Sequence, residues 1–345
     1  MPEGILITGG AGFIGVNVAA HHLRQGRRVA ILDNFSRAGT ETNLRWLQQA
    51  HGEGLVVLRG DVRALDQRFQ EEVERASVLY HFAAQVAVTT SVTDPASDFA
   101  VNALGTFNVL EAVRRSASRP IVVYSSTNKV YGKMDSVGTV DRGGRYAYAD
   151  LPDGVSEDAP LEFYSPYGCS KGCGDQYVID YARIFGLRTV VFRQSCIYGA
   201  HQFGMEDQGW VAWFTIRALQ GNPVTIYGDG KQVRDVLYID DLVAAYDAAI
   251  RHIDRASGKA YNIGGGPAFT LSLLELITML DRHLGRELEH RFEAWRPGDQ
   301  QVFISDVRRA RADLGWEPRI GPEEGVGRLQ RWLEENEAAL SEVLG

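Results

Sequence analysis

The chain has 345 residues, with 36 basic and 44 acidic side chains and a formal charge of −8, which argues against nucleic acid as the main partner because phosphate binding needs a net basic face. Hydrophobic residues make up 45 % and charged residues 23 %, a globular composition that excludes a disordered, collagen-like or long coiled-coil chain. A chain this long buries roughly three quarters of its unfolded surface, so it needs neither disulfides nor a structural metal to hold a core.

Short apolar runs alternate with longer amphipathic segments through the first half. Residues 4–8 predict a strand, 13–25 a helix, and 28–33, 55–61, 78–84 and 120–126 further strands, with a long helix over 96–115 before the last of them. The segment 133–163 is polar and rich in Gly, Asp and Tyr, and reads as an inserted loop. A helix over 165–185 and a strand over 188–193 follow. Beyond residue 198 the pattern loosens into strands at 223–228, 233–239 and 288–295 among helices at 209–219, 241–252, 272–284 and 323–340, with the charged run 328–342 read as a solvated face. Apolar strands separated by helices predict an α/β fold, a Rossmann-type doubly wound parallel sheet with a smaller, interleaved carboxy-terminal α/β portion. The boundaries expected are 1–198 with 233–264 for the large sheet, and 199–232 with 265–345 for the smaller part.

Three cysteines, Cys169, Cys173 and Cys196, are too few for a disulfide scaffold and read as small buried packing residues of a reduced protein. Met1 leads into an apolar strand without a basic region, long apolar stretch and cleavage site, and no run reaches the roughly 18–20 apolar residues that cross a bilayer. The expectation is a cytoplasmic protein with no membrane partner. The histidines show no ligand spacing, so no metal site is expected, and His81 reads as a packed strand histidine.

Thr8-Gly9-Gly10-Ala11-Gly12-Phe13-Ile14-Gly15 sits where a strand ends and a helix begins. Gly9, Gly12 and Gly15 suit a tight turn, close backbone approach to a pyrophosphate and close helix packing, and the helix start offers free N–H groups at Phe13 and Ile14. Asp33 ends the next strand, where a carboxylate accepts both ribose hydroxyls and favours NAD over NADP. Arg37, in the following loop, leaves that preference open. Asp61, ending the third strand, either reaches the adenine or caps a turn. At the fourth strand end, Ala83, Ala84 and Gln85 let the backbone lie along a cofactor. Tyr167 and Lys171, at i and i+4, share one helix face, and a nearby ammonium is expected to lower the tyrosine pKa from about 10. The Thr127 hydroxyl, closing Tyr124-Ser125-Ser126-Thr127, could bond the same substrate oxygen as Tyr167.

Together these residues resemble the extended short-chain dehydrogenase/reductases that act on nucleotide sugars, along essentially the whole chain. The late runs Gly228-Asp229-Gly230-Lys231-Gln232-Val233-Arg234-Asp235, Asn262-Ile263-Gly264-Gly265 and Arg296-Pro297-Gly298-Asp299 also fit that family. The resemblance implies Thr127, Tyr167 and Lys171 as catalytic residues and NAD as cofactor. It adds Asn34, Ser36, Val62, Asn102 and Ser125 to the cofactor site, together with Tyr167 and Lys171. For the substrate it implies Gln85, Thr127, Asn128, Gln194, Gln208, Val211, Gln232 and Asp299, with Arg234 and Arg296 on the nucleotide diphosphate. Homo-oligomers, commonly dimers or tetramers built partly from helices matching 96–115 and 165–185, are also implied. Three stretches, 126–132, 165–172 and 207–211, are similar to the members that epimerise a CDP-sugar at C2. The dehydratases of the family carry an Asp–Glu pair after the threonine, and Asn128-Lys129 cannot replace two carboxylates. Two other readings stay open: a UDP-sugar 4-epimerase, and a non-catalytic NAD-binding scaffold, which would be expected to lose Tyr167 or Lys171.

Overall fold

A computed structural model describes residues 3–296 and 299–344. Pro297 and Gly298, in the middle of the last motif above, lie outside the described residues. Seven strands form one sheet: β1 (Gly4–Thr8), β2 (Val29–Asp33), β3 (Leu55–Arg59), β4 (Ala76–His81), β5 (Ile121–Thr127), β6 (Thr189–Gln194) and β7 (Lys259–Ile263). All pairings are parallel, and the order from one edge is β3-β2-β1-β4-β5-β6-β7. The chain starts at β1, winds outward to β3, then returns to β4 on the other side of β1. That reversal opens a crevice at the carboxyl ends of β1 and β4, where ligands of such sheets bind.

Residues of β1 alternate between two cores, as the two-residue period of a strand requires. Ile5 and Ile7 join helices Phe13–Arg24 and Ile239–Arg251 on one face, while Leu6 joins helices Gln67–Arg75, Gly105–Arg115 and Ser165–Phe185 on the other. The first core continues through Phe214, Leu276 and Leu329 of the carboxy-terminal part without interruption. There, strand Val233–Tyr238 pairs with Cys196–Tyr198, Thr270–Ser272 and Val302–Phe303, and Val224–Tyr227 pairs with His290–Glu293. Strand Val233–Tyr238 is thus in the smaller sheet, while the helix and strand that follow it, Ile239–Arg251 and β7, pack on and complete the large one.

Four sequence expectations are corrected. The helix expected over 96–115 is Pro95–Phe99, a π turn at Ala100–Leu104 and Gly105–Arg115. The insertion is not all loop: Thr139–Asp141 and Tyr146–Tyr148 pair as a hairpin, and Tyr148 and Val155 pack on Tyr131 and Phe303. The last helix breaks at Asn336, and it is not simply solvated, because Val326, Leu329, Leu333 and Leu340 turn a buried face to the core. Cys169 is exposed and Cys173 and Cys196 only half-buried, since Cys169 points away from the face shared by Tyr167, Ser170 and Lys171. Helices Thr40–His51 and Gln67–Arg75, passed over in the sequence reading, complete the β2–β3 and β3–β4 crossovers.

Candidate active site

The glycine loop leaves β1 and turns at once into helix Phe13–Arg24. Gly9 has φ +68°, and a Cβ there would lie 2.7 Å from the Ala83 backbone nitrogen; one on Gly15 would lie 2.2 Å from the Gly9 carbonyl. Both glycines are therefore demanded by the chain's own packing. Gly12 differs: a Cβ there would meet only the Gly9 carbonyl, at 3.3 Å, and the helix start has no side-chain cap. The space above Gly12 and the first-turn N–H groups of Phe13 and Ile14 form a cradle for an anion. At the next strand end, Asp33 accepts from the backbone of Ala11 at 3.0 Å and of Phe35 at 2.9 Å, and burial raises its pKa. Beyond it Asn34 donates to Asp61 at 2.8 Å and accepts from the Ser36 hydroxyl at 2.8 Å. Arg63 grips Asp61 and holds its carboxyl down to about 2, so the carboxylate both ties a turn and borders the crevice. Val62 packs where a Cβ on Gly105 would meet it at 2.6 Å.

Across the crevice, β4 delivers Ala83, Ala84 and Gln85. Asn102, set inward by the π turn, accepts from the Gln85 backbone N–H at 2.9 Å and donates to its carbonyl at 3.0 Å. The Gln85 side-chain oxygen is buried with no hydrogen-bond partner among the described residues, an acceptor that a polar ligand would satisfy. His81 is a packed strand histidine, bonded to Thr8 at 2.7 Å and Thr106 at 3.0 Å, and burial pushes it down to about 3.

Helix Ser165–Phe185 sets Tyr167 and Lys171 over the end of β5. The Thr127 hydroxyl stands near the Tyr167 phenol and acts to lower its pKa, while its own hydrogen bond runs to Asn128 Oδ1 at 3.4 Å. Lys171 is only 3 % exposed; its ammonium donates to the Ser125 carbonyl at 2.5 Å and lies 4.2 Å from the centre of the Tyr124 ring. The expected lowering of the tyrosine pKa is not found. Burial pushes the Tyr167 phenol up to about 12, against the Thr127 hydroxyl and the Arg37 charge, which act in the opposite direction. Four methylenes let the lysine amine turn to a carbonyl and a ring rather than to the phenol. Burial also drives Lys171 down to about 7, resisted by the carboxylates of Asp175 and Asp98.

Those two carboxylates escaped the sequence reading. Asp98 accepts from Ser170 at 2.5 Å and Asn102 at 3.1 Å. Asp175, one turn beyond Lys171, accepts from Ser126 at 2.7 Å and from Arg193 twice at 3.0 Å; Arg193 donates onward to the Tyr131 hydroxyl at 3.0 Å. The available signal was spacing, since Asp98 stands four before Asn102 and Asp175 four after Lys171.

The expected substrate residues divide into two groups. Arg234 pairs with Asp299 at 2.7 Å, and Arg296 with Asp207 at 3.1 Å while stacking 3.8 Å over the Tyr227 ring. Asn128 borders Thr127, the Gln208 side chain accepts from Arg37 across the crevice, and Gln232 donates to the Tyr227 carbonyl and keeps a buried oxygen with no partner among the described residues. Gln194 and Val211 instead face inward. The Gln194 amide is engaged by Ser125 at 3.1 Å and Tyr246 at 2.5 Å, and the Val211 side chain is in the core, so that only its first-turn backbone N–H is left to meet the expectation.

A doubly wound sheet with a glycine cradle at its reversal, an acidic second strand end and a tyrosine–threonine pair over the fifth strand defines a nicotinamide-dinucleotide enzyme. The sequence profile of the NAD dependent epimerase/dehydratase family matches residues 5–264, and the chain belongs to that family. CDP-paratose 2-epimerase of Salmonella typhi is 42 % identical over 339 residues, covering 95 % of this chain and 98 % of that protein. The UDP-glucose 4-epimerase of Thermotoga maritima, solved with UDP-glucose, is 30 % identical with a TM-score of 0.82 over 97 % of this chain and 99 % of that one. The UDP-glucose 4-epimerase of Thermus thermophilus, solved with NAD, is 32 % identical with a TM-score of 0.76 over 95 % and 97 %. The protein is an enzyme of the isomerase class with NAD as its cofactor. The cradle over Gly12, the Asp33 carboxylate and the unsatisfied Gln85 oxygen fit that cofactor. Among the described residues no helix is long and apolar enough to cross a membrane.

Proposed function

We propose that this enzyme epimerises a CDP-hexose at C2, of the CDP-paratose to CDP-tyvelose type with CDP-glucose as a further candidate substrate, through a transient 2-keto sugar. The observation that carries the reading is the gathering of Tyr167, Thr127 and the buried Lys171 at the end of β5, in a chain similar over 95 % of its length to a CDP-paratose 2-epimerase. NAD supplies a hydride acceptor in the first half of the reaction and a hydride donor in the second, and so is not consumed. Tyr167 takes the proton of the C2 hydroxyl as the ketone forms and returns it when the opposite face is reduced, with Thr127 sharing the hydrogen bond. The Arg37 charge and the Thr127 hydroxyl favour the phenolate that the first half requires, and burial favours the phenol that the second half requires. The residues that would hold the cofactor are Gly9, Gly12, Phe13, Ile14 and Gly15 at the phosphates, Asp33, Asn34 and Ser36 at the ribose, and Ala83 to Gln85 with Lys171 further along.

Arg234 and Arg296 would anchor the diphosphate by charge-assisted bonds, while few fixed contacts to the hexose leave the keto sugar free to turn over. The cofactor part would be residues 1–198 with 233–264, except that strands Cys196–Tyr198 and Val233–Tyr238 pair within the smaller sheet, and the nucleotide-sugar part 199–232 with 265–345. Exposed apolar side chains on the two helices flanking the π turn and on Ser165–Phe185 support a homodimer or tetramer. The cytoplasm, where nucleotide sugars are made and used, is the compartment this reading expects.

Solved UDP-glucose 4-epimerases of the same fold support a second reading, inversion of a UDP-sugar at C4. Proton NMR of the enzyme in deuterium oxide with CDP-glucose, CDP-paratose and UDP-glucose in separate tubes decides between them. Inversion at C2 of a CDP-sugar, without deuterium at C2, is the expected result; inversion at C4, or turnover of UDP-glucose alone, overturns it.

A further inference from the structure

Lys129 is the second residue of the 3-10 turn Asn128–Tyr131 that follows Thr127, and its backbone N–H donates to the Thr127 hydroxyl at 3.2 Å. Its side chain is half-buried, and its one side-chain hydrogen bond among the described residues is a long one, 3.4 Å, to Gln300 Oε1. The groups facing it are Arg234 on strand Val233–Tyr238, Asp299 beside Gln300, and Cys196 on strand Cys196–Tyr198. Asp299 is the only carboxylate of that set, and it is already committed to Arg234 at 2.7 Å. The cluster therefore carries one cation more than its carboxylate neutralises. An ammonium partly withdrawn from water without an anionic partner of its own is unfavourable, and a ligand oxygen would offset that cost. Its place between the Thr127–Tyr167 pair on one side and Arg234 on the other lies along the path of any ligand that spans both.

We propose that Lys129 is a substrate-recognition residue whose ammonium donates to an oxygen of the bound nucleotide sugar. The inference rests on the reading that the substrate is a nucleotide sugar. The ligand oxygen belongs either to a phosphate or to the hexose, and both present the lone pair the site lacks. Burial and Arg234 lower Lys129 to about 8, so its charge is lost over the range in which the binding can be followed.

The test is calorimetric titration of the NAD-loaded enzyme with CDP, CDP-glucose, UDP and UDP-glucose, first on the wild type. Binding of neither sugar nucleotide would refute the substrate reading itself, before any variant is made. With the ligand series that binds, K129M is expected to weaken the sugar nucleotide about tenfold or more, the loss of one charge-assisted hydrogen bond. A loss confined to the sugar nucleotide assigns the hexose oxygen, and an equal loss with the nucleoside diphosphate assigns the phosphate. Wild-type affinity should fall as pH rises from 7 to 9, and the fall should vanish in K129R, which stays charged. Unchanged affinity in K129M, or a pH dependence that K129R retains, overturns the proposal.

Discussion

Ser126 Oγ donates to Asp175 Oδ2 at 2.7 Å and so fastens the residue before Thr127 to the helix that carries Tyr167 and Lys171. The same carboxylate holds Arg193, whose side chain is 5 % exposed against 0 % for Asp175. Removing one member of a buried pair leaves the other desolvated and unpaired. Asp175→Ala is expected to cost about 3–5 kcal/mol in urea unfolding, with Asp175→Asn milder because an amide oxygen still accepts. A loss below about 1 kcal/mol for the alanine variant would show that the pair does not brace the site.

Tyr167→Phe keeps the ring and removes the oxygen proposed to move the proton. Turnover should fall by about two to four orders of magnitude while NAD stays bound, read from the ultraviolet spectrum of the denatured supernatant. A variant with near wild-type rate contradicts the assignment.

Gly12→Ala and Gly15→Ala separate cradle from scaffold. The Gly12 variant has room to fold, so its thermal melting should stay close to wild type while NAD affinity drops about tenfold as the added methyl crowds the phosphates. The Gly15 variant places a methyl 2.2 Å from a carbonyl and should lose stability as well. Equal behaviour of the two in both assays would argue against the division.

His81 is neutral in the fold and ordinary in the unfolded chain, with pKa values of about 3 and 6.5. Between those values the unfolded chain binds the extra proton, so this group's stabilising share is present at pH 7 and is lost as pH falls. The loss is about 1.4 kcal/mol per pH unit below about pH 6. His81→Gln lacks this dependence. The stability gap between wild type and variant should therefore narrow from pH 7 to pH 5; a constant gap would mean that His81 is not buried neutral.

Phe99, Phe107, Tyr177 and Ile184 stand exposed on helices that pack together, Ile184 to 62 %. Light scattering should give a dimer or tetramer for the wild type and a smaller species for Phe107→Glu with Ile184→Glu. An assembly unchanged by both substitutions places the interface elsewhere.

Six strands of the large sheet were legible because they are continuous apolar runs closed by turn residues, each within two or three residues of the observed one, whereas the seventh, Lys259–Ile263, with Lys, Tyr and Asn among its five residues, was not. Helices Thr40–His51 and Gln67–Arg75 were not, since both are largely polar and show only a narrow buried stripe; the Asp66 cap of the second, bonded to the Phe69 N–H at 3.0 Å, was the available signal. Spacing brought Tyr167 and Lys171 to one helix face but said nothing about where a flexible amine would turn. The burial of Asp98 depends on helix Ser165–Phe185, and that of Asp175 on Ser126 and Arg193 of two strands, elements distant in sequence.

The π turn at Ala100–Leu104 adds a residue to a helical path, and each residue rotates such a path by about 100°. Asn102 inside the turn meets Gln85 in the crevice, while Phe107 just beyond it faces outward. Crevice and outer face are thereby geared together. A one-residue deletion here would misalign both at once, so sequence drift in this turn is confined by two demands together.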